Sequence, residues 1–261
     1  MRAEARRADI RFPLPVRFVE RLRGTRVNHV RRRAKYLLAD LDSGETLIAH
    51  LGMSGRFSVV TAQGGFGFGD YVYNTGADPK HDHVVFHLSE DATIIYNDPR
   101  RFGFMDLART DQLETTRWFV GMGPEPLSNR FSGAVLAEAL KPRKSPIKAA
   151  LLDQQVVAGL GNIYVCEALF RARIAPTRLS NSLSTAETEV LAQAIKAMLA
   201  EAINVGGSTL RDFKASDGTS GAFQERFDVY GREGQVCICG ANVLRLVQSG
   251  RSTFWCEQCQ Q

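Results

Sequence analysis

The chain has 261 residues, 44% of them hydrophobic and 23% charged, with 33 Lys and Arg against 28 Asp and Glu and a net charge of +5. That length allows two domains, or one large domain with a small appendage, and the apolar content excludes a disordered chain. No apolar run approaches the ~18 residues of a membrane span. The start, Met1-Arg2-Ala3-Glu4-Ala5-Arg6-Arg7-Ala8-Asp9, has no apolar signal-peptide core, and Glu4 and Asp9 count against a transit peptide. A soluble, reduced, intracellular protein is expected. Its mild positive charge permits a polyanionic partner without requiring one.

Residues 1–110 read as β-rich. Arg2 to Arg7 is strand-like, and residues 46–51 form an apolar, partly β-branched run closed by Gly52, Ser54 and Gly55. Gly64, Gly65, Gly67 and Gly69 mark a loop or irregular edge. Residues 83–88 and 92–96, joined by Ser89-Glu90-Asp91, read as a hairpin. From about residue 110 the period becomes helical. One helix begins at Ser145-Pro146 and runs through Ile147, Ala150, Leu151 and Leu152, with proline suited to the first turn. Gly159-Leu160-Gly161-Asn162 interrupts, and a further helix spans residues 163–170. Ser184 and Glu187 have the form of a capping box. Behind them Leu191, Ile195, Met198 and Ala202 recur at helical spacing until Gly206-Gly207. After Gly218 and Gly221 the chain is short-stranded around its cysteines. The expected fold is therefore α+β, without internal repeats, in the order 1–110 β-rich, 111–225 helical and 226–261 a small metal-binding module.

That module reads Cys237-x-Cys239, sixteen residues, then Cys256-x2-Cys259. Two close thiolate pairs about a hairpin apart suit one tetrahedral zinc ion, in which metal replaces a core too small to form alone. Four thiolates leave no open coordination position, so the role is structural. The single residue between Cys237 and Cys239 makes a tighter loop than usual, expected to chelate with strain. Cys166 reads as a small buried residue. His81, His83 and His87 would share one face of a strand and form a rival metal site. The preferred reading is that they are hydrogen-bonded to neighbours or phosphates.

Basic residues fall in three clusters: Arg31-Arg32-Arg33 with Lys35, Arg100-Arg101, and Lys141 with Arg143, Lys144 and Lys148. Any one suits a solvated face. Three beside a zinc module favour nucleic acid, whose phosphates are met by Lys and Arg. The glycine-rich approach to a helix at Asn162 suits a phosphate, or a plain helix cap.

Seven stretches in order are more specific than any one: 32–38, His50-Leu51-Gly52-Met53-Ser54-Gly55, Lys80-His81-Asp82-His83, Asp98-Pro99-Arg100-Arg101-Phe102-Gly103, 123–127, Gly159-Leu160-Gly161-Asn162-Ile163-Tyr164 and Gly250-Arg251-Ser252-Thr253-Phe254. This series resembles the formamidopyrimidine-DNA glycosylases, bacterial base-excision repair enzymes that remove oxidised purines and cleave abasic sites. The resemblance covers the chain from about Arg2 to Cys259. It implies an N-terminal β-sandwich, a helix–two-turns–helix domain and a C-terminal zinc ribbon. It also implies a monomer in the bacterial cytoplasm, associated with the nucleoid through double-stranded DNA containing oxidised purines or abasic sites.

Position by position, the resemblance makes Lys35 a phosphate contact and proton donor in β-elimination. Arg251, on the zinc hairpin, becomes the holder of the phosphates flanking the lesion and the δ-elimination residue. Asn162 and Lys148 match phosphate ligands, and His81, Arg100 and Arg143 match further DNA contacts, with Lys144 an alternative to Arg143 by one residue of register. Met53, Arg100 and Phe102 match the groups that fill the gap left by an extruded base; a cation beside apolar wedges suits an unstacked step. Residues 216–223 match the loop over the damaged base, with Ala222 where an aromatic is expected.

The family's Pro-Glu-Leu-Pro-Glu leader, whose proline amine attacks the sugar, does not occur in this sequence. A start codon assigned too far downstream is one expectation, and the 261-residue polypeptide is then expected to bind DNA weakly without normal glycosylase activity. A catalytically inactive damaged-DNA-binding protein is the alternative. An endonuclease VIII-like glycosylase for oxidised pyrimidines is another, disfavoured by Met53, Arg100, Phe102 and the Lys80-His81-Asp82-His83 segment.

Overall fold

Apolar β-branched residues alternating with polar ones set the first half of the chain as strands. The computed structural model describes residues 1–61, 66–67, 69–70, 78–88, 92–208 and 221–261. The strands are β1 (Arg2–Ala5), β2 (Val27–Arg33), β3 (Tyr36–Leu41), β4 (Glu45–His50), β5 (Arg56–Val60), β6 (Phe66–Gly67), β7 (Gly69–Asp70), β8 (Asp82–His87), β9 (Thr93–Asn97) and β10 (Phe104–Arg109), with helix α1 (Phe18–Leu22) between β1 and β2. The glycine-rich stretch contributes the short β6–β7 ladder, while Gly64, Gly65 and Phe68 lie outside the described residues. The expected β8–β9 hairpin pairs His87 with Thr93, and its turn, 89–91, is also outside them.

Two four-stranded antiparallel sheets result, in the orders β1-β8-β9-β5 and β10-β4-β3-β2. Their inner faces meet in one core: Ala3, Val84, Phe86 and Tyr96 come from the first sheet, and Leu41, Leu47, Ala49, Met105 and Leu107 from the second. This is the expected β-sandwich. It belongs to a compact unit of Met1–Val120 with Ser208–Gly221.

The second unit, Gly121–Gly207 with Ala222–Gln261, holds the helices and the cysteine ribbon. Its helices are α2 (Gly133–Leu140), α3 (Ile147–Leu152), α4 (Asn162–Arg171) and α5 (Thr185–Asn204), followed by strands β11 (Leu244–Gln248) and β12 (Arg251–Trp255). The capping box forms as expected, with the Glu187 amide donating to Ser184 Oγ and the Ser184 amide to the Glu187 carboxylate. Glu187 also pairs with Arg178, which, with the Ser184 amide, draws its carboxyl down to about 2. Pro146 precedes α3 as its cap residue. Leu136, Leu151, Leu169, Leu191 and Ile195 interlock the helices in one core. Cys166 and Phe170 of α4 pack with Val229, Cys237, Val243 and Cys256 of the ribbon.

Candidate nucleic-acid interface and metal centre

Lys35 stands exposed in the two-residue turn between β2 and β3, where Arg33 pairs with Tyr36. Its neighbour Ala34 is buried at a φ of 50°, a conformation that costs a non-glycine residue energy and recurs at functional turns. The Arg32 guanidinium donates to the Ala34 carbonyl at 2.6 Å and braces the turn. Behind it, His50 stacks on Phe104 with centroids 5.4 Å apart, and Phe104 stacks on Trp118 at 4.0 Å. Burial, then the charges of Lys35 and Arg11, pushes His50 down to about 4. The neutral ring accepts the Gly52 amide on Nδ1 at 3.0 Å and fixes the start of the next loop.

That loop, 51–55, carries Met53, and residues 98–103 carry Arg100 and Phe102. Met53 is 57% exposed and Phe102 42% exposed, so neither is an ordinary core residue. The Arg100 guanidinium lies 4.8 Å from the centre of the Phe102 ring, within cation–π range. Gly52, at a φ of +66°, presses so closely on the other loop that a Cβ there would lie 2.5 Å from the Phe102 carbonyl carbon. The sequence groups these three residues by resemblance alone; their loops touch.

His81 lies just before β8, outside the common strand that the rival metal site would need. It ends a single 3-10 turn, Pro79–His81, capped by the Asp78 carboxylate, which accepts the Lys80 amide at 3.0 Å. His83 is buried in β8 with Nε2 against the Asp98 carbonyl at 2.8 Å, and His87 faces Glu4 at 3.1 Å. The tight turn and a register shift between Asp82 and Val84 break the common face. Among the described residues, only the four cysteines converge as a candidate metal group.

In the second unit, α3 and α4 are joined by two turns over residues 153–161. Gln154 organises them: its amide donates to the Leu152 and Leu160 carbonyls, and its oxygen accepts the Gly159 amide at 2.8 Å. Gly161 is the cap residue of α4. Asn162 is the first helical residue and makes no cap bond, so the plain-cap reading is corrected. Instead Asn162 Nδ2 donates to the Ser252 carbonyl at 2.8 Å. Ser249 and Gly250, at φ 50° and 70°, form the two-residue turn that joins β11 to β12. Both positive angles suit the twist of a tight hairpin. Arg251, exposed, is the first residue beyond that turn.

Lys148 is fully buried, and its ammonium finds no hydrogen-bond partner among the described residues. Burial first, and also the nearby Arg251 charge, draws it below the usual lysine range. A cation held so, beside an arginine, favours an anion. Lys148, Asn162 and Arg251 are thus brought together. Other members of the basic clusters are engaged internally: Arg31 pairs with Asp40 at 2.7 Å, and Arg143 with Asp153 at 2.7 Å. Lys144 is exposed.

The Sγ atoms of Cys237, Cys239, Cys256 and Cys259 lie within 4.8 Å of one another, with Cys237 to Cys259 at 3.8 Å and Cys239 to Cys256 at 3.5 Å. A tetrahedral zinc with ~2.3 Å bonds sets its sulfurs ~3.8 Å apart, so this donor set fits one. The short Cys237-x-Cys239 spacing is accommodated by Gly240, at a φ of 89°, whose amide donates to the Cys237 carbonyl at 2.9 Å. The Ala241 amide draws the Cys239 thiol down to about 7, towards the thiolate a metal needs.

Two buried carboxylates escaped the sequence reading. Asp98 accepts from Ser54, Tyr96 and Gly103, and Glu167 of α4 accepts three successive amides, from Asp228, Val229 and Tyr230, at 2.8 to 3.0 Å. Burial raises the Glu167 carboxyl despite those amides. An acidic residue inside an apolar helical pattern was the available signal for Glu167.

A family model described as the formamidopyrimidine-DNA glycosylase N-terminal domain matches residues 1–105, and one described as its H2TH domain matches residues 122–214. The chain is 54% identical to the formamidopyrimidine-DNA glycosylase of Roseobacter denitrificans over 262 residues, covering 99% of this chain and 91% of the relative. Identity to the Methylobacterium sp. enzyme of the same name is 56% over 265 residues, covering 97% and 89%. Among solved structures, the Thermus thermophilus Fpg protein aligns at 38% identity with a TM-score of 0.84, covering 100% of this chain and 90% of that one. Lactococcus lactis Fpg in complex with abasic-site DNA aligns at 33% identity with a TM-score of 0.82, covering 100% and 91%. Two matching domains in order, and relatives above half identity along almost the whole length, place this chain in the formamidopyrimidine-DNA glycosylase family.

Proposed function

We propose that the protein is a base-excision repair glycosylase that removes oxidised purines, 8-oxoguanine and formamidopyrimidines, from double-stranded DNA and cleaves the abasic strand by β,δ-elimination. The observation that carries this reading is the pairing of exposed Met53 with Arg100 and Phe102 on two touching loops, a wedge for a step from which a base has been everted. The segments 1–110, 111–225 and 226–261 divide the work as sandwich, helix–two-turns–helix and ribbon. The protein acts as a monomer on nucleoid DNA in the cytoplasm.

In this reading Lys148, Asn162 and Arg251 hold the phosphates around the lesion, with His81, Arg100 and Lys144 as further backbone contacts. Arg143, already paired with Asp153, is the weaker alternative to Lys144. Asn162 Nδ2 donates to the Ser252 carbonyl at 2.8 Å and, at a longer 3.5 Å, to the Tyr230 hydroxyl, a bond that a phosphate oxygen would replace. Cys237, Cys239, Cys256 and Cys259 hold one structural Zn2+, which fixes the hairpin that aims Arg251.

Base removal coupled to strand cleavage needs an amine: its lone pair bonds to C1′ as the C1′–N bond breaks and the base leaves with that electron pair and a proton. The C1′–O4′ bond then opens, O4′ taking a proton, to leave an iminium at C1′. Loss of a C2′ proton then expels the 3′ phosphate, and loss of a C4′ proton expels the 5′ phosphate. Lys35 is assigned proton transfer in the first elimination, and Arg251 is assigned to the second. None of the 261 residues is assigned as the amine, and the alternative reading is a damaged-DNA-binding protein without catalysis.

Borohydride trapping on an abasic duplex separates the two. The 261-residue polypeptide is expected to bind the duplex without being captured. The same polypeptide carrying a family member's N-terminal segment with Pro-Glu-Leu-Pro-Glu is expected to be captured and to release 8-oxoguanine. Absence of capture in both would reject the enzyme reading.

A further inference from the structure

Residues 51–55 carry the chain from β4 in one sheet to β5 in the other, and residues 98–103 carry it back from β9 to β10. Between these crossings lies the carboxylate of Asp98, wholly buried. Its Oδ1 accepts the Ser54 hydroxyl at 2.6 Å, and its Oδ2 accepts the Tyr96 hydroxyl at 3.1 Å and the Gly103 amide at 2.8 Å. Ser54 Oγ in turn accepts the Arg100 amide at 3.2 Å. The proton order is therefore fixed, from the Arg100 amide to Ser54 to Asp98. Three of the four anchored groups adjoin or belong to a wedge residue: Ser54 follows Met53, Gly103 follows Phe102, and the amide is that of Arg100 itself, while the fourth, Tyr96, ties the carboxylate to β9.

We propose that Asp98 is a positioning residue for base eversion, locking the two inter-sheet loops through Ser54 so that Met53, Arg100 and Phe102 enter the duplex as one rigid body. A wedge must hold its place against the restoring force of base stacking, and a loop free to deflect yields to it. Three donors on one carboxylate remove that freedom where the loops meet, and the packing of Gly52 on Phe102 removes it beside them. Asp98 itself touches no DNA in this account. It rests on the proposed wedge role of the three exposed residues.

The test needs no chemistry. The 261-residue protein is mixed with a duplex carrying 2-aminopurine beside 8-oxoguanine, and the fluorescence rise on unstacking is followed at saturating protein. Affinity for a duplex with a tetrahydrofuran abasic analogue, which has no base to evert, is measured in parallel. Ser54→Ala and Asp98→Asn are each expected to slow the rise ~10-fold, as loss of one or more buried hydrogen bonds implies, with abasic-duplex affinity within ~2-fold of the parent. If Asp98→Asn does not fold, Ser54→Ala decides, because it removes the relay and leaves the carboxylate in place. An unchanged rise in Ser54→Ala, with a slowed rise in Met53→Ala, would overturn the positioning role while leaving the wedge. An unchanged rise in Met53→Ala would remove the wedge reading and the proposal together. A proportional loss of the rise and of abasic affinity would mark a merely structural residue and also overturn it.

Discussion

Asn162 Nδ2 donates to the carbonyl oxygen of Ser252 at 2.8 Å, tying the first residue of α4 to the strand that begins with Arg251. A carboxylate at position 162 would set oxygen against oxygen and place negative charge beside the proposed phosphate site. Asn162→Asp is therefore expected to weaken binding to an abasic duplex by at least ~10-fold, and by more than Asn162→Ala does. Fluorescence anisotropy of the three proteins checks the order, and equal losses in the two variants would refute the electrostatic part.

Lys148 separates stability from binding. A buried ammonium with no hydrogen-bond partner among the described residues destabilises the free protein, while the same charge attracts a phosphate. Lys148→Met, similar in length and apolar, is expected to raise the melting temperature by about 2–4 °C for each kcal/mol recovered and to weaken DNA binding ~10-fold. Thermal unfolding without DNA and titration with it give the two signs. A variant that loses both would mean that the lysine is needed by the fold.

The cysteine cluster predicts one zinc per chain by elemental analysis of the purified protein. Cys256→Ser, or removal of metal by a strong chelator, is expected to release it and to lower DNA affinity while leaving the sandwich folded. The ribbon's own core is small: Val229, Cys237, Val243 and Cys256 pack on Cys166 and Phe170 of α4, and two of those four are proposed metal ligands. Restoring zinc to the chelated parent recovers binding, whereas the serine variant stays impaired.

Much of this was legible in the chain. Ser184 and Glu187 are three residues apart and need only local geometry, so the capping box reads directly. The spacing of Cys237, Cys239, Cys256 and Cys259 likewise states its chemistry. Asp98 does not, because Ser54 and Gly103 reach it from opposite ends of sheet crossings. The basic clusters overstated the cationic surface, since the acids that engage Arg31 and Arg143 are nine and ten residues away in sequence. The one-turn 3-10 segment that ends at His81 has no periodicity to detect, so the sequence does not decide whether His81 shares a face with His83 and His87.

Acid stability should show Glu187. Its carboxyl is held near 2 against an ordinary 4.5, first by Arg178 and then by the Ser184 amide. Above about 4.5 the charged form prevails in folded and unfolded chains alike and its contribution is complete; from there down to about 2 the unfolded chain takes up the proton first, and stability falls. Because both partners are partly exposed, the loss is about 1 kcal/mol rather than the full shift. Glu187→Gln should flatten that limb of the pH profile and leave the protein less stable at neutral pH. An unaltered profile would contradict the assignment.

The Tyr96 hydroxyl crowds two glycine positions at once. A Cβ at Gly103 would lie 1.9 Å from it, and one at Gly55 would lie 2.7 Å from it. Backbone closes the same space, with the Leu51 carbonyl oxygen 2.3 Å from a Cβ at 55 and the His50 carbonyl oxygen 2.5 Å from one at 103, so a smaller residue at 96 frees neither position and both stay glycine whatever stands there.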